Sequence, residues 1–164
     1  MGMEIKTSSL AEWISTTQDK ALLIPITLHT TSGSMLPAIR MEQDTVVVVP
    51  CTLSDVRIGD IVLIRTSSAS AGVMLHRLFR MQNGQIVTLG DNLRRPDQAV
   101  AADALLGRAV SITGPKKNVD CDSRWSRFRG KLIVHTYRLR PIVFLARRGI
   151  RKLKRMIKHT KAHG

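Results

Sequence analysis

Six short apolar runs rich in β-branched residues occupy positions 22–28, 45–49, 60–65, 72–79, 85–89 and 105–112. Each is of strand length and is bounded by Pro, Gly, Ser, Asn or Asp, residues that turn the chain. No long helical pattern lies between them, which argues against a parallel sheet built from strand–helix–strand crossovers. The expectation is a mainly β body, a folded or barrel-like antiparallel sheet. Asn83-Gly84 separates two of the runs. Both residues tolerate positive φ, so they predict a two-residue hairpin turn that pairs 78–82 with 85–89.

The ends read differently from the middle. Ser9 and Glu12 form a capping-box pattern, and Leu10, Trp13 and Ile14 give one apolar face, so a short helix is expected within residues 1–20. At the other end, Ile142, Ala146, Ile150, Leu153 and Ile157 recur at helical spacing behind Pro141. Arg147, Arg148, Arg151, Lys152, Lys154, Arg155 and Lys158 fill the opposite face. That is a basic amphipathic helix, which Gly149 weakens by about 1 kcal/mol relative to alanine. The expected division is a short helix in 1–20, a β domain in 21–115, and a basic tail with the C-terminal amphipathic helix in 116–164.

Charge divides the chain a few residues later. Residues 1–123 carry 12 basic and 12 acidic side chains, whereas 124–164 carry 14 basic and none acidic, so the whole net charge of +14 sits in the last quarter. A polyanionic partner would meet the tail, and any chemistry belongs to the body. No stretch reaches the roughly 18–20 apolar residues of a membrane-spanning helix, and the first 20 residues lack the apolar core of a signal peptide. Cys51 and Cys121 stand alone, with no CxxC and no histidine at ligand spacing. Neither a metal site nor a redox pair is expected, and no cofactor is implied.

Between the first two strand runs, Thr31-Ser32-Gly33-Ser34-Met35-Leu36-Pro37 places two hydroxyls around a glycine in a loop stiffened by Pro37. Such a loop can present a serine as a nucleophile, although Ser-Gly-Ser by itself is more often a flexible connection. Three features follow in order: Ile58-Gly59-Asp60-Ile61-Val62 opening a strand, Leu75-His76-Arg77 near the end of a strand, and Gly90-Asp91-Asn92 with Asp97 beyond.

In this order the four boxes resemble those of type I signal peptidases, with Ser34-Met35-x-Pro37 as the nucleophile box. The resemblance covers about residues 30–112. Histidine at position 76, where most bacterial members have a lysine, makes the chain more similar to the archaeal and endoplasmic-reticulum type, which uses Ser, His and Asp. The implied fold is the folded antiparallel sheet that signal peptidases share with self-cleaving repressors. The implied reaction is hydrolysis of signal or leader peptides after small residues.

The resemblance assigns roles residue by residue. Ser34 is the nucleophile and His76 the base that takes its proton and returns it to the leaving amine. His29, five residues before Ser34, competes as base on position alone, but it matches no box. Two carboxylates are available to orient the imidazole: the resemblance gives the triad place first to Asp97, six residues beyond Asp91, with Asp91 either ordering the loop or serving as the acid itself. Ser32 and the Ser34 N–H are the expected oxyanion donors. The expected substrate is an extended peptide pairing with a strand edge and placing side chains such as alanine in shallow pockets.

One departure from the family bears on location. A membrane-spanning helix ordinarily precedes the serine, and the 33 residues before Ser34 contain none. The chain is therefore expected in the cytoplasm or peripherally at an anionic membrane surface, held through residues 141–158. A self-cleaving repressor, with a Ser/Lys pair, is disfavoured because no lysine lies between Lys20 and Lys116. The alternative outside enzymes is a nucleic-acid- or membrane-binding protein on an inactive peptidase fold. The basic tail supports it, and a 4% aromatic content leaves few stacking platforms for nucleic acid.

Overall fold

The structure, a computed structural model, describes residues 26–29, 32–66 and 72–139. The helices expected in 1–20 and 141–158 lie outside the described residues. The chain divides into two compact units, Met1–Val134 and His135–Gly164, and the sheet and site below belong to the first.

Among the described residues, eight strands form one sheet. They are β1 (Ile26–His29), β2 (Thr45–Pro50), β3 (Ile61–Arg65), β4 (Val73–Gln82), β5 (Gln85–Leu89), β6 (Val100–Ala101), β7 (Leu105–Gly114) and β8 (Lys117–Asp120), followed by helix α1 (Arg124–His135). The order is β1-β2-β7-β3-β4-β5-β6, with β8 on β7. Every pairing is antiparallel. The chain is thus mainly β, as the six apolar runs imply.

β3 explains why one sheet needs two cores. Its Ile61, Val62, Leu63 and Ile64 are all buried, and side chains alternate across a strand. Ile61 and Leu63 join Met35, Ile39, Val46, Val48, Ala109 and Ile112 on one side. Val62 and Ile64 join Val56, Leu78, Ile86 and Leu105 on the other. A central strand covered on both faces reads as a continuous apolar run rather than an alternating one.

The hairpin turn falls where expected, with Asn83 at φ 51° and Gly84 at φ 70° between the paired Gln82 and Gln85. A bulge then shifts the register between Leu78 and Arg80, so Leu78 faces Thr88 and Arg77 faces Leu89.

The sheet runs past the boundary expected at 115. β8 pairs with the end of β7, Gly114 opposite Lys117. Lys117 is no solvated tail residue: its ammonium lies 2.5 Å from the buried Asp44 carboxylate and donates to the Ala38 carbonyl at 2.6 Å. The Arg40 N–H donates to the same carboxylate oxygen at 2.5 Å. Burial pushes the Asp44 carboxyl up, but these partners outweigh it and hold the group below its ordinary value. The segment that follows Ser34 is thereby fastened to the sheet.

α1 begins behind Ser123, whose hydroxyl accepts from the Ser126 N–H at 3.3 Å, the usual role of serine before a helix. Asp122, one residue earlier, bonds Arg108 at 2.6 Å and Arg127 at 2.9 Å. The Arg108 guanidinium and, less, Arg127 hold its carboxyl below the ordinary range against burial. The helix rests on the turn before β3: a side chain at Gly130 would stand 2.4 Å from the Gly59 carbonyl oxygen. Among the described residues no helix is long and apolar enough to cross a membrane.

Candidate active site

Ser34 sits in a single 3-10 turn, Gly33–Met35. The neighbouring Met35 and Ile39 are buried in the first core, and the Ile39 N–H donates to the Met35 carbonyl at 2.9 Å. Apolar residues just after the serine thus anchor the turn while Ser34 itself stays half-buried and Ser32 is exposed. The local pattern is a rigid pedestal carrying an accessible hydroxyl.

His76 comes from β4, opposite Val62 of β3, and is 3% exposed. Its Nε2 lies 2.9 Å from Ser34 Oγ and its Nδ1 2.7 Å from Asp97 Oδ2. A carboxylate only accepts, so Nδ1 carries a hydrogen, and in the neutral ring Nε2 presents its lone pair to the serine O–H. Forty-two residues separate Ser34 from His76 and twenty-one separate His76 from Asp97, so the line of contacts is made by tertiary structure alone.

Two further groups complete the arrangement. Ser32 Oγ lies 3.0 Å from Ser34 Oγ. With Ser34 donating to His76, Ser32 is left to donate to the Ser34 oxygen. Thr88 of β5, fully buried, donates from Oγ1 to Asp97 Oδ2 at 2.6 Å, and its carbonyl accepts the Asp97 N–H at 2.9 Å. The sequence reading missed Thr88. The signal available was a polar residue inside an apolar strand, two positions before the Gly90-Asp91-Asn92 box.

Asp91 is turned away from the histidine. The Arg77 guanidinium meets it with both Nε and Nη2, at 2.8 and 2.6 Å, and donates from Nη1 to the Gly59 carbonyl at 2.6 Å. Both side chains are buried, at 8% and 3% exposure, and the fork geometry suits a planar guanidinium. The adjacent Asn92 N–H donates to the Ser34 carbonyl at 2.7 Å, and its side-chain amide donates to the Gly33 carbonyl at 3.2 Å. Gly90 lets the strap come this close, since a Cβ there would sit 2.8 Å from the Ser34 carbonyl oxygen. Asp91 thus fixes Arg77 beside the loop whose Asn92 bonds the Ser34 and Gly33 carbonyls.

Of the residues singled out in the sequence, Ser32, Ser34, His76 and Asp97 come together, and Asp91 reaches the serine through its neighbour Asn92. His29 pairs with Thr45 in β1, and its side chain lies outside the described residues. Cys51 and Cys121 are free thiols, which burial pushes up to about 12 and about 11. At those values they are not thiolate nucleophiles at neutral pH. Among the described residues no three His, Cys, Asp or Glu side chains are placed to hold a metal ion.

Comparison of the chain with protein-family models and with curated proteins finds no match in either.

Proposed function

We propose that the chain is a serine endopeptidase resembling the signal peptidases, cleaving a signal or leader peptide after small residues. The observation that carries this reading is the unbroken hydrogen-bonded line from Ser34 Oγ through His76 to Asp97.

A serine hydroxyl is a weak nucleophile at neutral pH. As its oxygen bonds to the scissile carbonyl carbon, its proton passes to His76 Nε2, and the imidazolium is stabilised by the Asp97 carboxylate at Nδ1. The carbonyl oxygen takes up the displaced electron pair. Ser32 Oγ, 3.0 Å from the attacking oxygen, is within reach of that new oxyanion by rotating its O–H away from Ser34. The resemblance adds the Ser34 N–H as the second donor. His76 then gives its proton to the leaving amine nitrogen as the C–N bond breaks. In the second half, water loses a proton to His76, attacks the acyl carbon, and releases Ser34 with its proton restored.

Peripheral placement at a membrane from the inner side fits the expected leader-peptide substrates and forms part of the same proposal. The test is cleavage of a peptide library containing Ala-x-Ala sites by the purified full chain, read by mass spectrometry. Cleavage present in wild type and absent in both Ser34→Ala and His76→Ala supports the reading. Cleavage that survives in either variant overturns it.

A further inference from the structure

Helix α1 carries a surface that the peptidase reading does not use. Its inward face is small: Gly130 and Val134 are buried, and Ser126 partly so. On the other side Trp125 is 70% exposed, Phe128 57% and Leu132 49%. At about 100° per residue these three fall within an arc of about 60°. Exposed Arg129 borders that arc on one side, and exposed Arg124 and Lys131 border it on the other. Among the described residues, no carboxylate pairs with any of the three cations. Arg127, between them in sequence, is already engaged by Asp122.

We propose that this face of α1 is a docking surface for an anionic lipid bilayer. It rests on the peripheral membrane placement proposed above but not on the peptidase chemistry, since it needs neither Ser34 nor His76. A stripe of indole, phenyl and isobutyl groups gains by entering the acyl boundary, while cations on both flanks stay at the level of the headgroup phosphates. Tryptophan is at home at that depth.

Charge selects this occupant over others. From position 124 to the end the chain has 14 basic residues and no acidic one, so a symmetric contact with a second copy would bring the flanking cations together without local compensation. A nucleic acid would satisfy the cations but not the stripe. Leu132 offers a base no ring, and the Trp125 and Phe128 rings already stack on each other, with centroids 5.9 Å apart at 30°.

The test uses the full chain and phosphatidylcholine vesicles with and without phosphatidylglycerol. In a Trp13→Phe background Trp125 is the sole indole. Its emission is expected to shift to the blue and to be quenched by brominated acyl chains on phosphatidylglycerol vesicles only. W125S/F128S/L132S, all at exposed positions, should lower vesicle flotation by about tenfold or more with an unchanged circular dichroism spectrum. R124Q/R129Q/K131Q should weaken the preference for phosphatidylglycerol. Flotation with Trp125 unquenched would assign membrane contact to another segment and overturn the proposal. So would wild-type flotation of the apolar triple variant, or absence of flotation. A wild-type dimer that this variant turns into a monomer would assign the face to a second copy instead.

Discussion

Thr88 grips Asp97 at two points: its hydroxyl donates to the carboxylate at 2.6 Å and its carbonyl receives the Asp97 N–H at 2.9 Å. A loop carboxylate is thereby fixed to a buried strand, and the His76 ring is fixed in turn. Thr88→Val keeps the shape and removes the hydroxyl. On the proposed peptidase activity, kcat is expected to fall about tenfold, the lower end of what partners orienting metal ligands are worth, with KM little changed. Equal kcat in the variant and wild type would show that backbone contacts alone position Asp97.

Asp97 and Asp91 should separate in their effects. Asp97→Asn preserves the fold and is expected to lower kcat by about 10⁴, since the amide favours the wrong imidazole tautomer. Asp91→Asn leaves the Arg77 guanidinium buried and half-partnered, and should cost about 3–5 kcal/mol of stability in urea titration. A stability loss at Asp97 as large as at Asp91 would contradict this division.

Ser32→Ala removes the hydroxyl 3.0 Å from Ser34 Oγ, the proposed nucleophile. Its kcat should drop by about 10²–10³ while stability is retained, because the side chain is exposed. Full-rate cleavage by the purified variant would remove Ser32 from the oxyanion site.

The Asp44–Lys117 pair makes stability depend on acid. The Asp44 carboxyl is held below its ordinary 3.8 in the fold. Its contribution is therefore complete above that value and is lost as pH falls through the lower, folded one. Asp44→Asn should be destabilised by about 2–3 kcal/mol at neutral pH. The gap to wild type should close below pH 3.8, measured by denaturant midpoints across pH. A gap that stays constant to acid would show that Asp44 acts by shape alone.

Cys51 and Cys121, with thiols raised to about 12 and about 11, should react with iodoacetamide at mildly alkaline pH more slowly in the folded chain than in urea. Equal rates, followed by mass, would mean that neither thiol is held buried.

Much of the sheet was legible in the sequence because strands announce themselves locally. β-branched runs with turn residues at their ends marked β2, β3, β4, β5 and β7, and Asn83-Gly84 marked the hairpin. β8 was hidden because it is short and polar, and Lys116-Lys117 reads as the start of the basic tail. Only its pairing with β7 and the contact of Lys117 with Asp44 show it to be part of the sheet. Helix α1 was hidden by the stronger basic pattern beyond it, although Trp125, Phe128 and Leu132 stand at helical spacing.

The sequence by itself determined which residues had the chemistry to act: a serine after a glycine, a strand histidine, two carboxylates near a Gly-Asp-Asn turn. The tertiary structure decided which of them meet. Asp97 rather than Asp91 faces His76 because Thr88 draws one carboxylate inward while Arg77, buried by α1 and the Gly59 turn, captures the other. Hydrogen-bond partners 9 to 42 residues apart are chosen by how strands stack and bulge. Local residue pattern carries no record of that choice.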